Sequence, residues 1–104
     1  MSYQIINIHE AKKLFEENKA IPVDIRDPQS FNEAHISKAT HISDQNLKTF
    51  IDSADKDKPI ICYCYHGISS QNASQFLIDQ GFTAVYSLEG GFEAWREVYE
   101  SEAQ

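Results

Sequence analysis

Pro59-Ile60-Ile61-Cys62-Tyr63-Cys64-Tyr65-His66-Gly67-Ile68-Ser69-Ser70 is the stretch on which the architecture turns. Its first half is an apolar run without polar alternation, the pattern of a strand covered on both faces. Its second half carries a glycine and two serines, then leads into Ala73, Phe76 and Leu77 at helical spacing. A buried strand running through a tight loop into a helix predicts a parallel sheet. Cys64 then stands at the strand's carboxyl end, where open α/β sheets collect their ligands. Loop N–H groups and the N-terminus of the following helix both favour an anion there. The thiolate is the reactive form of cysteine, so the loop predicts a depressed Cys64 pKa. Most free cysteines are inert core residues; the position of Cys64 sets it apart from that reading.

The rest of the chain alternates in the same way. Short strand-like runs lie at Tyr3–Ile6, Ile21–Ile25, Ala39–Ile42, Pro59–Tyr63 and Ala84–Leu88. Apolar residues at helical spacing lie between or after them: Ala11/Leu14/Phe15, Leu47/Phe50/Ile51, Ala73/Phe76/Leu77 and Phe92/Trp95/Val98/Tyr99. Asn7-x-x-Glu10 resembles a capping box, Gln80-Gly81 suits a left-handed helix end, and Pro28 suits the first position of a short fifth helix. Alternating strands and helices predict an α/β fold, a central, mostly parallel sheet of about five strands with helices on both faces. The 104 residues form one domain, 1–104, with an acidic tail over about 99–104 that is expected to fray.

Composition narrows the function. A net charge of −7 and a pI near 4.9 oppose nucleic-acid and anionic-membrane partners. No leader or membrane-length apolar segment is apparent. Two cysteines two residues apart do not suggest a structural staple, so a reducing, cytoplasmic setting is expected. Cys62, inside the apolar run, reads as core. A structural zinc site needs four converging ligands, and His9, His35 and His41 show no pairing pattern, so no metal is expected.

Around Cys64, the backbone donors of Tyr65, His66, Gly67, Ile68, Ser69 and Ser70 form a candidate anion cup, with the serines also available as helix caps. His66 is read as a substrate-rim residue rather than a general base, because it follows the cysteine by two residues in the same turn. His35 is read as a structural residue bonded to nearby backbone. Asp24 and Arg26 end the second strand. Asp24 suits a buried ion pair, whereas Arg26 suits both that pair and an anion-binding role. The sixth residue after Cys64 is Ser70, where cysteine-dependent phosphatases place the arginine that clamps phosphate. Without that fork, phosphate-ester hydrolysis is disfavoured.

These motifs together resemble the single-domain rhodanese family over nearly the whole chain. The resemblance is carried by Val23-Asp24-Ile25-Arg26-Asp27-Pro28-Gln29-Ser30-Phe31, His35-Ile36, Cys64 through Ser70, and Glu89-Gly90-Gly91-Phe92-Glu93-Ala94-Trp95. The chain departs from the common pattern at Ala34 and Lys38, where the family usually has glycine. It also lacks the basic residues that two-domain, thiosulfate-specific members place after their cysteine. The resemblance implies a rhodanese-like fold and a thiosulfate sulfurtransferase without a cofactor. It implies transfer of the outer sulfur of thiosulfate, through a Cys64 persulfide, to a thiophilic acceptor: cyanide in a test reaction, a thioredoxin-like dithiol in the cell. Substrate contacts are expected from residues 65–70 and Arg26, in a chain acting as a monomer or weak homodimer. Two other readings stay open on the residues: a non-catalytic rhodanese-type protein-binding module, and a cysteine-dependent arsenate reductase or phosphatase.

Overall fold

A computed structural model describes residues 2–103. In chain order the elements are β1 (Gln4–Ile6), α1 (Ile8–Glu16), β2 (Ile21–Asp24), α2 (Pro28–Glu33) and β3 (Thr40–His41). They continue with α3 (Leu47–Ser53), β4 (Ile60–Tyr63), α4 (Ser69–Asp79), β5 (Val85–Leu88) and α5 (Gly91–Val98). The sheet runs β1-β5-β4-β2-β3 with every pairing parallel. This is the expected arrangement, because helical crossovers return each strand in the same direction. β4 lies at the centre, in register with β2 (Val23 opposite Cys62) and with β5 (Cys62 opposite Ser87).

Successive strand residues point to opposite faces, and β4 is buried along its whole length. Ile61 and Tyr63 join Ile6, Ala11, Leu88, Phe92 and Trp95 in the core under α1 and α5. Ile60 and Cys62 join Val23, Leu77, Ile78 and Phe82 in the core under α3 and α4. That two-sided burial is why the segment lacks polar alternation. Cys62 is a core residue, and burial pushes its thiol up to about 12.

The local signals act as expected at three helix ends. Asn7 caps α1, accepting from the Glu10 N–H while its amide donates to the Glu10 carboxylate. Asp27 caps α2 ahead of Pro28, and Gly81 takes a left-handed φ of 104° after α4. Two expectations change. Ser69 and Ser70 do not cap α4: Ile68 occupies the cap position without a side-chain bond, and the serines face other partners. Nor is the described part of the acidic tail loose. Glu102 and His35 exchange two backbone hydrogen bonds of 2.7 and 2.8 Å, and Ser37 donates to the Glu102 carboxylate. A backbone pair outweighs the exposed, charged composition that suggested fraying. Gln104 lies outside the described residues.

The two unusual positions near the first motif behave differently. Ala34 is extended, with φ −167°, a conformation any residue adopts. Lys38 sits in the left-handed region at φ 68°, a backbone that disfavours a side chain by roughly 1–2 kcal/mol. Glycine is therefore dispensable at the first site and replaced at a conformational cost at the second.

Candidate active site

Cys64 is the first residue beyond β4 and is only 3% exposed. The loop bends back over it and donates to it. The N–H of Gly67 lies 3.2 Å from Sγ and the N–H of Ser70 3.3 Å, while the Ser70 hydroxyl oxygen, 3.4 Å away, accepts from the thiol and can donate to the thiolate. Burial alone raises the thiol's pKa. Hydrogen bonds from the Ser69 and Ser70 hydroxyls and from the Ser70 and Gly67 N–H groups outweigh it, bringing the group from 9.0 down to about 7. A buried sulfur is thus held as an anion by dipoles rather than by a cation. Iodoacetamide alkylation of Cys64 should therefore rise through a midpoint near pH 7 and level off above it. An ordinary thiol keeps accelerating to about pH 8.5, and such a profile would refute the loop account.

The bend depends on the first turn of α5. The N–H groups of Phe92 and Glu93 donate to the carbonyls of Cys64 and Tyr65, at 2.8 and 3.0 Å. With those carbonyls engaged, the N–H groups of Tyr65, His66, Ile68 and Ser69 have no acceptor among the described residues. The geometry requires glycine at two close approaches. A Cβ on Gly91 (φ 61°) would meet the carbonyl oxygens of Tyr65 and Cys64 at 2.5 and 2.7 Å. A Cβ on Gly67 (φ 86°) would meet Gly90 N and Leu88 O at 2.9 Å. The Glu89-Gly90-Gly91-Phe92 motif is therefore a docking face for the loop.

The other candidate residues separate into rim and support. His66 and Ser69 are exposed, as are Ile68 (76%) and Tyr65 (40%). The Tyr65 phenol turns toward α2, meeting Ser30 Oγ at 2.6 Å and the carboxylate of Asp27. That hydroxyl and the Ser30 donors hold the Asp27 carboxyl down at about 2. Ser70 is fully buried beneath the sulfur.

Of the two roles that Arg26 suits, the structure shows the ion pair with Asp24. Its Nε and Nη2 donate to the Asp24 carboxylate at 2.7–3.2 Å, and Nη2 also donates to the Ala34 carbonyl at 2.6 Å. The guanidinium lies 4.2 Å from the Phe92 ring centre. It is absent from the sulfur's hydrogen-bond set, because a carboxylate two residues away and a neighbouring carbonyl hold it first. Asp24 is the buried partner expected. His35 likewise meets the Phe31 carbonyl at 2.7 Å and stacks on the Phe31 ring.

Sequence reasoning missed three supports: the α5 amides, the Asp27–Ser30 clasp on Tyr65, and Ser87. Ser87 Oγ lies 2.7 Å from Ser70 Oγ, between β5 and the first turn of α4. The available signal was a lone serine in the otherwise apolar and aromatic Val85-Tyr86-Ser87-Leu88 strand. Among the described residues, no group of three or more histidine, cysteine or acidic side chains could hold a metal.

Comparison with known proteins gives a consistent picture. Residues 7–98 match the family described as Rhodanese-like domain. The chain is 50% identical over 90 residues to thiosulfate sulfurtransferase GlpE of Vibrio cholerae, covering 86% of this chain and 85% of that protein. It is 52% identical over 98 residues to thiosulfate sulfurtransferase GlpE of Pseudomonas aeruginosa, covering 94% and 88%. The crystal structure of a rhodanese-related protein from Thermoplasma volcanium matches with a TM-score of 0.84 at 25% identity, over 98% of this chain and 100% of that one.

Proposed function

This chain belongs to the rhodanese-like domain family and is a thiosulfate sulfurtransferase, and we propose that the transferred sulfur rides on Cys64. The observation that carries this reading is the sulfur atom itself, buried at the end of β4 with two N–H donors within 3.3 Å. In the first step the Cys64 thiolate attacks the outer sulfur of thiosulfate. An Sγ–S bond forms, the S–S bond of thiosulfate breaks, and sulfite leaves with the electron pair. The unengaged N–H groups of Tyr65, His66, Ile68 and Ser69 suit the anionic oxygens of the substrate. In the second step an acceptor attacks the outer persulfide sulfur and the Cys64 thiolate leaves. Cyanide becomes thiocyanate. A thioredoxin-like dithiol takes the sulfur as a persulfide, then closes to a disulfide and expels hydrosulfide. No cofactor enters either step.

Intact mass spectrometry tests this directly. After thiosulfate, the protein should gain the mass of one sulfur atom, and cyanide should remove it. An idle binding module, or a phosphatase, leaves the mass unchanged. We further propose that the chain acts in the cytoplasm as a monomer or weak homodimer. Its two unpaired cysteines suit a reducing compartment, and among the described residues no helix is long and apolar enough to cross a membrane.

Binding of thiosulfate should be weak. The substrate is a dianion, the chain carries a charge of −7, and the nearby guanidinium is occupied by Asp24. Backbone donors and His66 remain. Initial rates should rise almost linearly to about 1 mM thiosulfate, the upper end of ordinary Michaelis constants. Saturation at micromolar concentrations would show that a cation reaches the substrate after all.

A further inference from the structure

We propose that Ser87, on β5, is a positioning residue for sulfur transfer: through the Ser70 hydroxyl it keeps a proton aimed at the Cys64 sulfur. Three side-chain atoms are linked inside the protein. Ser87 Oγ lies 2.7 Å from Ser70 Oγ, which lies 3.4 Å from Cys64 Sγ. Ser70 and Ser87 are 0% and 1% exposed.

Each hydroxyl has one proton to donate. Among the described residues Ser87 Oγ has a single hydrogen-bond partner, Ser70 Oγ. If Ser70 donated to Ser87, the Ser87 proton would be buried with no acceptor, which is strongly disfavoured. In the thiolate, which has no proton to give, the order that satisfies both hydroxyls is therefore Ser87 O–H to Ser70 Oγ, and Ser70 O–H to Sγ; in the neutral thiol the S–H donates to Ser70 Oγ instead. Ser74 does not compete, since its hydroxyl donates to the Ser70 carbonyl at 2.7 Å and lies 3.4 Å from that of Tyr86. A sulfur that accepts from Ser70 is favoured as the anion. Ser87 touches neither sulfur nor substrate; it acts by fixing which way Ser70 points.

Other charged or titratable groups surround the site. The closed Asp24–Arg26 pair ends β2, Cys62 and Tyr63 lie on β4, Tyr65 and His66 in the loop, and Glu89 and Glu93 beside and within α5. All are common to the native protein and a Ser87 variant, so a difference between the two reports the hydroxyl. The inference rests on Cys64 as the sulfur carrier. Alkylation, however, reads the thiolate whether or not sulfur is transferred, so the two assignments can fail separately.

The test is the pH profile of Cys64 alkylation by iodoacetamide, with the modified residue located by peptide mass. Ser87→Ala should move the midpoint upward by about 0.5–1 pH unit, slowing the reaction about three- to tenfold below both midpoints. Sulfur transfer from thiosulfate should fall by the same factor at neutral pH and recover at alkaline pH, whereas a merely structural loss persists at every pH. Ser87→Thr, which restores a hydroxyl, should return the native profile. In a Ser70→Ala background, Ser87→Ala should add no further shift. A Ser87→Ala profile superimposable on the native one, or an equal shift without Ser70, overturns the proposal. Should the alanine variant not fold, the native protein decides: the Ser70 and Ser87 Cβ resonances should both titrate with the Cys64 midpoint. A Ser87 signal that stays still overturns it.

Discussion

Cys64→Ser should abolish sulfur transfer from thiosulfate while leaving the fold intact. Removing the nucleophile of a covalent mechanism lowers turnover on the order of 10⁶-fold, so sulfur transfer should fall beneath detection. A serine hydroxyl stays protonated near neutral pH and cannot carry a transferable sulfur, so neither the mass gain nor the cyanide-dependent release should appear. Stability should hardly change. The oxygen is smaller than sulfur but sits among the same donors, the N–H groups of Gly67 and Ser70. It also removes the conflict between burial and ionisation that the native thiolate embodies. The melting temperature should stay within a few degrees, roughly 1 kcal/mol. Persistent thiosulfate-dependent turnover in a folded Cys64→Ser protein would move the chemistry to another residue. Cys62 is a poor substitute, being fully buried with its thiol pushed up to about 12.

Asp24→Ala should produce the largest loss of stability. The Arg26 side chain is 4% exposed and that of Asp24 is not exposed at all. The carboxylate also accepts the Arg26 backbone N–H, at 2.8 Å. Removing it leaves a guanidinium inside the protein without its counter-charge, at a cost of about 3–5 kcal/mol. For a domain of this size that corresponds to a fall in melting temperature of about 12–30 °C, a large part of a typical total stability. Thermal unfolding followed by circular dichroism measures it. Replacing both partners, Asp24→Leu with Arg26→Met, should cost much less than Asp24→Ala alone, because no unpaired charge remains. Equal losses would mean that the pair contributes by packing rather than by charge. Activity should decline as well. The guanidinium packs on the Phe92 ring, and the Phe92 N–H holds the Cys64 carbonyl, so the pair supports the loop from beneath.

Much of the fold was legible because its rules are local. Helical spacing, the Asn7 cap, Pro28 and Gly81 each act within a few residues, and each lies where the sequence indicated. Strand ends were less legible: β3 is only Thr40–His41, half the strand-like run that announced it. The docked tail was not legible at all, because its partner His35 lies far away in the chain.

The site divides along the same line. Cys64, the loop that follows it and the missing arginine at Ser70 are consecutive residues, so their meaning could be read directly. The role of Arg26 was ambiguous because a guanidinium can serve a carboxylate or a substrate, and only the fold shows it bonded to Asp24 and Ala34.

By itself, then, the chain's order of residues determined a parallel α/β sheet, a nucleophile at the end of its central strand, and the absence of a phosphate clamp. Those properties follow from periodicity and from neighbours along the backbone. Only the tertiary structure decided how the sulfur is held: by α5 gripping two loop carbonyls, by Gly67 and Gly91 allowing close approach, and by Ser87 on β5 reaching Ser70 on α4. These contacts join residues 17 or more positions apart, and spacing along a chain carries no record of a distance closed only by folding.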